Sequence, residues 1–245
     1  MERYEKVIEP VAFIRSDFPE KFGIPRQSGL ARTQAEIVFA HGFENPEAVR
    51  GLEDFSYIWL IWGFSANENC SGSTAAEVKN ASVAWKATVR PPRLGGNTRV
   101  GVFASRSPFR PNGLGLSSVR LVRVEIRENG PVLTVEGADL MDGTPIYDVK
   151  PYIPYADAHP EADGGFTDRV PRRTLTVNCP PDLLANIPAA KQNGLLDLLS
   201  QDPRPSYQHD PDRIYGLSYA GYSVKFTVAD NILTVRDIFP LTEQQ

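Results

Sequence analysis

The chain has only two cysteines, Cys70 and Cys179, and no Cys-x-x-Cys spacing. That leaves no basis for a disulfide framework or a structural zinc site. Its three histidines, His41, His159 and His209, are equally scattered. A metal site would need ligands gathered from distant segments, and none is expected. No apolar run approaches the ~18 residues that span a bilayer, so no membrane partner is expected either. The opening stretch MERYEKVIEP is charged and has no apolar signal core, which points to a soluble, cytoplasmic protein. Neither common phosphate loop is present. Gly113-Leu114-Gly115 is followed by Ser118 where a GxGxxG fingerprint needs its third glycine, and no GxxxxGK precedes a Ser or Thr.

The most informative absence is of acid. Residues 78 to 124 hold no Asp or Glu, although 30 acids spread over 245 residues would put about six there. The same stretch carries nine cations: Lys79, Lys86, Arg90, Arg93, Arg99, Arg106, Arg110, Arg120 and Arg123. The whole chain is formally −4, which leaves about −13 for everything outside this tract. Seven of the nine cations are arginines, and a planar guanidinium fork suits phosphate or carboxylate better than an ammonium does. An acidic protein has thus concentrated positive charge in one loop-rich segment, VRPPRLGGNTRVGVFASRSPFRPNGLGLSS. The asymmetry implies a polyanionic or phosphate-bearing partner.

What remains is a β-rich pattern with enough apolar material, 41% of residues, for one large domain and a small appendage. Short runs rich in β-branched and aromatic residues lie at 7–16, 35–40, 55–64, 85–90, 99–104, 119–126 and 132–140, with Gly, Pro or Asn between them. No strand alternates with a long amphipathic helix before residue 150, which argues for a mainly antiparallel sheet or barrel. Asn45-Pro46 is placed to cap a short helix. The polar stretch 156–170 reads as a linker. Beyond it come a strand at 174–178, a helix from Pro188 to Gln201 and a hairpin turning at Asp230-Asn231. Residues 171–245 are therefore expected to form a small α+β domain.

Three constellations could carry chemistry. In Gly101 to Ser118, Arg106 and Arg110 are framed by Pro108 and Pro111 and followed by Gly113 and Gly115. Prolines limit the freedom of such a loop, and glycines let backbone N–H groups approach a ligand. In Asp139 to Pro145, followed by Tyr147 and Asp148, the carboxylates could bind hydroxyls or act as a base. Asp142-Gly143 is equally a turn pair. KFGIPRQSGL (21–30) offers an arginine and an amide side chain in a Pro/Gly-bounded loop, a weak signal alone. Tyr57, Trp59, Trp62 and Phe64 fit sheet core better than a base-stacking surface.

In this order, the three segments resemble the TsaA-like, or YaeB, family, whose full-length bacterial members are tRNA methyltransferases using S-adenosylmethionine. The match rests on GVFASRSPFRPNGLGLSS and VRPPRLGGN, supported by KFGIPRQSGL, AVRGLEDFSYIWLIWGF, DLMDGTPIYDVKPYIPYAD and DPRPSYQ. The resemblance implies a single antiparallel β-barrel of a non-Rossmann methyltransferase class over 5–155, in a homodimer. The implied reaction methylates the exocyclic nitrogen of threonylcarbamoyl-adenosine next to the anticodon of tRNA. By motif, cofactor contacts fall at Pro25, Arg26, Gln27, Ser65, Ala66, Arg106, Leu116, Gly137, Ala138, Asp139 and Leu140. Ser65-Ala66 stand where many relatives have a polar His-Gln-like pair, and Gly113-Leu114-Gly115 replaces the more proline-rich turn of other members.

Asp142 is the candidate base, with Tyr147 and Asp148 behind it. Arg90, Arg93, Arg99 and Arg110 are candidates for tRNA phosphates. Rival readings are a non-catalytic RNA-binding barrel and a methyltransferase of this fold acting on another nucleotide or small molecule.

Overall fold

A computed structural model describes residues 5–65, 85–170, 174–205, 208 and 210–241. Ala66, Cys70 and Lys79 lie outside the described residues. The N-terminal part is a closed barrel of six antiparallel strands: β1 (Ala12–Arg15), β2 (Gln34–Phe39), β3 (Tyr57–Gly63), β6 (Leu114–Arg127), β7 (Gly130–Glu136) and β8 (Pro145–Pro151). They pair in the order β1-β2-β7-β6-β3-β8, and β8 closes back on β1. Alternation along each strand sends Ile14, Ile37, Leu60, Val119, Leu133 and Ile146 into the interior. Closure removes the free edges that an open sheet would present.

The basic tract departs from the sequence expectation. Its two strand-like runs supply only β4 (Thr88–Val89) and β5 (Val100–Gly101), a two-stranded ribbon separate from the barrel sheet. Pro91-Pro92 and two left-handed glycines, Gly95 and Gly96, end pairing between them. The turn region after Asp142 goes the other way, into β8. A register shift against β3 leaves Tyr147 as the extra residue of a bulge between Ile146, opposite Trp62, and Asp148, opposite Ile61.

The C-terminal sheet comprises β9 (Thr176–Asn178), β10 (Tyr215–Tyr219), β11 (Tyr222–Ala229) and β12 (Ile232–Pro240), in the order β10-β11-β12-β9. The helix Ala189–Ser200 buries Leu195, Leu198 and Leu199. Asp230 and Asn231 both take positive φ, 48° and 66°, as a tight two-residue hairpin requires. β10 was not anticipated; its sequence YGLSY is short and mixed.

Two apolar cores result, and they do not divide where the sequence does. The β1–β2 connection sends Phe18 and Ala31, with Phe22 and Ile24, into the C-terminal core beside Leu217, Tyr219 and Leu198. Gly23 lies so close to Leu217 that an added Cβ would fall 1.9 Å from its Cδ1. Polar ties reinforce the contact. Asp197 accepts from Arg32 N, Nε and Nη2 at 3.0, 2.7 and 2.9 Å, and Lys191 Nζ pairs with Asp17 at 2.6 Å. The loop carrying Pro25, Arg26 and Gln27 is thus held by the C-terminal domain.

Candidate active site

Three segments distant in sequence meet at one end of the barrel. Arg106 reaches from the basic tract and donates through Nη1 to Gln27 Oε1. Gln27 belongs to the loop that the C-terminal core holds. The third segment follows β7, where Gly137 N–H donates to Thr33 O at 2.9 Å and Gly29 N–H donates to Gly137 O at 2.8 Å. Gly137 has φ +85°, and an added Cβ would lie 3.1 Å from Gly29 Cα. Glycine at this position therefore meets both a left-handed backbone and a close backbone approach.

Asp139 occupies the centre of this convergence. Its Oδ1 accepts from Ser117 Oγ at 2.6 Å, and the Ser117 hydroxyl in turn accepts from Trp62 Nε1 at 3.0 Å. Ser28 N–H also bonds to the Asp139 carboxyl. Burial pushes the pKa of Asp139 up, while Ser117, its own backbone N–H, Arg106 and Ser28 oppose the shift. A carboxylate kept in partial burial with a guanidinium nearby is poised to meet a cation or a hydroxyl donor. The Trp62 ring lies over Gly115, where a Cβ would come within 2.3 Å of it. β3, β6 and the segment after β7 thus each supply one member of an indole–hydroxyl–carboxylate chain. Ser117 carries no signal of its own in the sequence, because it is one of two adjacent serines, Ser117 and Ser118, between Leu116 and Val119.

The remaining candidates are placed less directly. Ala138 and Leu140 are buried in the barrel core, so only their backbones face the convergence, and Leu140 O already accepts from Ser16 Oγ at 2.9 Å. Leu116 points outward and is 56% exposed. Ser65 N–H donates to Gly63 O at 2.9 Å. Pro25 is buried, and Arg26 is exposed with no ion pair among the described residues. Asp142 Oδ1 accepts from Ser16 N–H at 2.9 Å. Asp148 pairs with Lys150 at 3.0 Å, and the Tyr147 ring packs over Gly63. These three side chains are tied to turn and strand neighbours rather than to Asp139.

The tract's arginines differ in how they are held. Arg110 turns inward on its own loop: Nε donates to Ser107 O at 3.3 Å, and Nη2 to Ser105 O at 2.8 Å and Val102 O at 3.4 Å. Arg93 donates to Val170 O and Arg99 to Thr88 Oγ1, both at 2.9 Å. Arg90 is exposed. Among the described residues, none of Lys86, Arg90, Arg93, Arg99, Arg106 and Arg110 pairs with a carboxylate. Nor does any group of three His, Cys, Asp or Glu side chains there have the arrangement of a metal site. No helix among them is long and apolar enough to cross a membrane.

Residues 13–158 match the tRNA-methyltransferase O N-terminal domain, and residues 176–241 match the TrmO C-terminal domain. The chain is 34% identical over 231 residues to the tRNA (adenine(37)-N6)-methyltransferase of Escherichia coli (strain K12), covering 91% of this chain and 93% of that one. It is 40% identical over 185 residues to the enzyme of the same name from Eikenella corrodens, covering 75% and 97%. A Pseudomonas aeruginosa relative, 39% identical over 222 residues (86% and 87%), carries the name of an S-adenosylmethionine-dependent methyltransferase. The crystal structure of TrmO from P. aeruginosa superposes with a TM-score of 0.74 at 30% identity, covering 98% of this chain and 99% of that one. With both domains matched in order and the same barrel-plus-sheet architecture, the chain belongs to the tRNA-methyltransferase O family of S-adenosylmethionine-dependent enzymes.

Proposed function

We propose that the protein methylates the exocyclic nitrogen of threonylcarbamoyl-adenosine at position 37 of tRNA, acting as a cytoplasmic homodimer with S-adenosylmethionine as donor. The observation that carries this reading is the closure of Arg106 on Gln27 beside the part-buried carboxylate of Asp139. S-adenosylmethionine presents a sulfonium, an ammonium, a carboxylate and a ribose. The residues at the convergence suit that set. Asp139 meets cationic or hydroxyl groups, the free N–H groups of Arg106 meet a carboxylate, and the Gly29–Gly137 contact lets backbone come close. When bound, the donor supplies an electrophilic methyl group.

The chain itself aligns and neutralises. Methyl transfer needs nitrogen, methyl and sulfur in line, so the rigid Trp62–Ser117–Asp139 chain contributes chiefly by fixing position. Arg26 is exposed beside Gln27 and is assigned to the threonyl carboxylate of the substrate. The ureido carbonyl next to the accepting nitrogen acidifies its proton, so a modest base suffices. Asp142 retains that assignment: Oδ1 is held by Ser16 N–H, and Oδ2 has no hydrogen-bond partner among the described residues. Tyr147 and Asp148 shape the bulge behind it. The exposed cations of the tract, Arg90, Arg93 and Arg99, are assigned to tRNA phosphates.

The test is mass spectrometry of tRNA nucleosides after incubation with isotopically labelled S-adenosylmethionine. One labelled methyl on the threonylcarbamoylated nucleoside is expected, and its loss in Arg106→Ala. Equal labelling of unmodified adenosine, or no labelling, overturns the substrate assignment.

A further inference from the structure

The ribbon that delivers Arg106 has an outer face that methyl transfer leaves unused. Trp85 and Phe103 lie with ring centroids 6.0 Å apart and planes at 36°. Lys86 Nζ sits 5.2 Å from the centroid of the Phe109 ring. These rings are not core: Trp85 is 47% exposed, Phe103 76% and Phe109 44%. The backbone beneath them is well pinned. Thr88 pairs with Gly101 and Val89 with Val100, Val102 N–H donates to Ala87 O at 3.0 Å, and Arg99 ties back to Thr88 Oγ1 at 2.9 Å. The side chains are therefore presented outward on a fixed frame.

Three exposed aromatic rings among cations that lack carboxylate partners form a distinctive surface. Aromatic residues and arginine are also common in protein-binding patches, but lysine is depleted there, and Lys86 sits among these rings. A second copy docking through this same face would set like charges against each other. Single-stranded RNA satisfies both features at once, because unpaired bases stack on aromatic faces while phosphates meet arginine and lysine.

Resting on the tRNA reading above, we propose that Trp85, Phe103 and Phe109 form a stacking platform for unpaired bases of the tRNA loop that carries the target adenosine. Phe103 and Phe109 stand three residues either side of Arg106. A base stacked on either ring thus lies within about 10 Å of chain from Arg106, which closes on Gln27. Stacking holds the loop open and in register, and the cations hold its backbone. A platform on this ribbon accepts any base face, so it contributes to reach and orientation rather than to sequence choice.

The experiment measures affinity of the full chain for an anticodon stem–loop RNA carrying threonylcarbamoyl-adenosine, and for a blunt duplex of equal length, across a salt series. Both rings are exposed, so Trp85→Ala and Phe103→Ala are expected to fold. Each should weaken stem–loop binding about tenfold, leave the salt slope unchanged and spare duplex binding. Trp85→Phe and Phe103→Tyr should restore most of the loss. Arg99→Ala should instead lower the salt slope by about one unit.

Failure of the wild-type chain to bind the stem–loop would remove the tRNA reading and the platform together. Wild-type binding with unchanged affinity in both alanine variants would remove only the platform. An equal loss on duplex RNA, or conversion of a dimer to a monomer in sedimentation, would also overturn it, the latter by assigning the face to a second copy.

Discussion

The two loops that meet at the Arg106–Gln27 bond are held in opposite ways. The Gln27 loop is anchored by burial: Phe18 and Ala31 sit in the C-terminal core, and Gly23 presses against Leu217. The Arg106 loop has little core of its own. Val102 is buried, but Arg110 does most of the bracing, reaching the carbonyls of Val102, Ser105 and Ser107. One half of the site is therefore fixed by a domain that does not contribute to the barrel. The other is a polar, self-braced hook open to solvent. Apolar packing resists displacement because every contact is lost at once, whereas each of the part-buried hydrogen bonds of Arg110 contributes only about 1 kcal/mol. The site thus has one wall seated by burial and one braced by polar contacts.

Three substitutions sharpen or break that contrast. The largest effect is expected from Phe18→Ala, which empties a ring that is 1% exposed in the C-terminal core. A loss of about 3–5 kcal/mol is expected in urea unfolding, with weaker donor binding in calorimetry under conditions where the variant stays folded. Full donor affinity in the folded variant would mean that the barrel alone seats the Gln27 loop. Arg110→Ala comes next. Stability should change by about 1 kcal/mol, while turnover falls by about tenfold or more as Arg106 loses its frame. A fully active variant would show that Arg106 does not depend on this brace.

The smallest effect belongs to Asp197→Ala. Its partner Arg32 has a side chain 63% exposed, and solvent-exposed ion pairs contribute little. Melting temperature should barely move and donor affinity should drop no more than about threefold. A larger loss would shift the anchoring role from Phe18 to the ion pair.

Much of this was legible along the chain, for local reasons. The barrel strands β2, β3 and β6 follow from β-branched and aromatic runs with largely period-two burial, and β7 from a short run buried on both faces. The helix at Ala189–Ser200 and the Asp230-Asn231 hairpin follow from leucine spacing and from residues that tolerate positive φ. The pairing of β8 was hidden because PIYDVKP carries proline, aspartate and lysine and reads as a continued turn. β4 and β5 were overestimated because Trp, Val and Phe favour strands wherever they occur, including on a short ribbon. At the site, Gln27, Arg106 and Asp139 stood out through their motifs. Ser117 and Trp62 did not, since each looks like an ordinary member of an apolar strand.

The order of amino acids alone determined the segregation of charge, the strand-rich character and the turn positions, because each depends on neighbours a few residues away. Only the folded chain decided that the Phe18–Ala31 segment joins the C-terminal core, that Asp139 lies part-buried beside Arg106, and that Trp85 and Phe103 stay outside any core. Those outcomes depend on which distant surfaces come together when the barrel closes and the C-terminal sheet docks, and no local pattern encodes that choice.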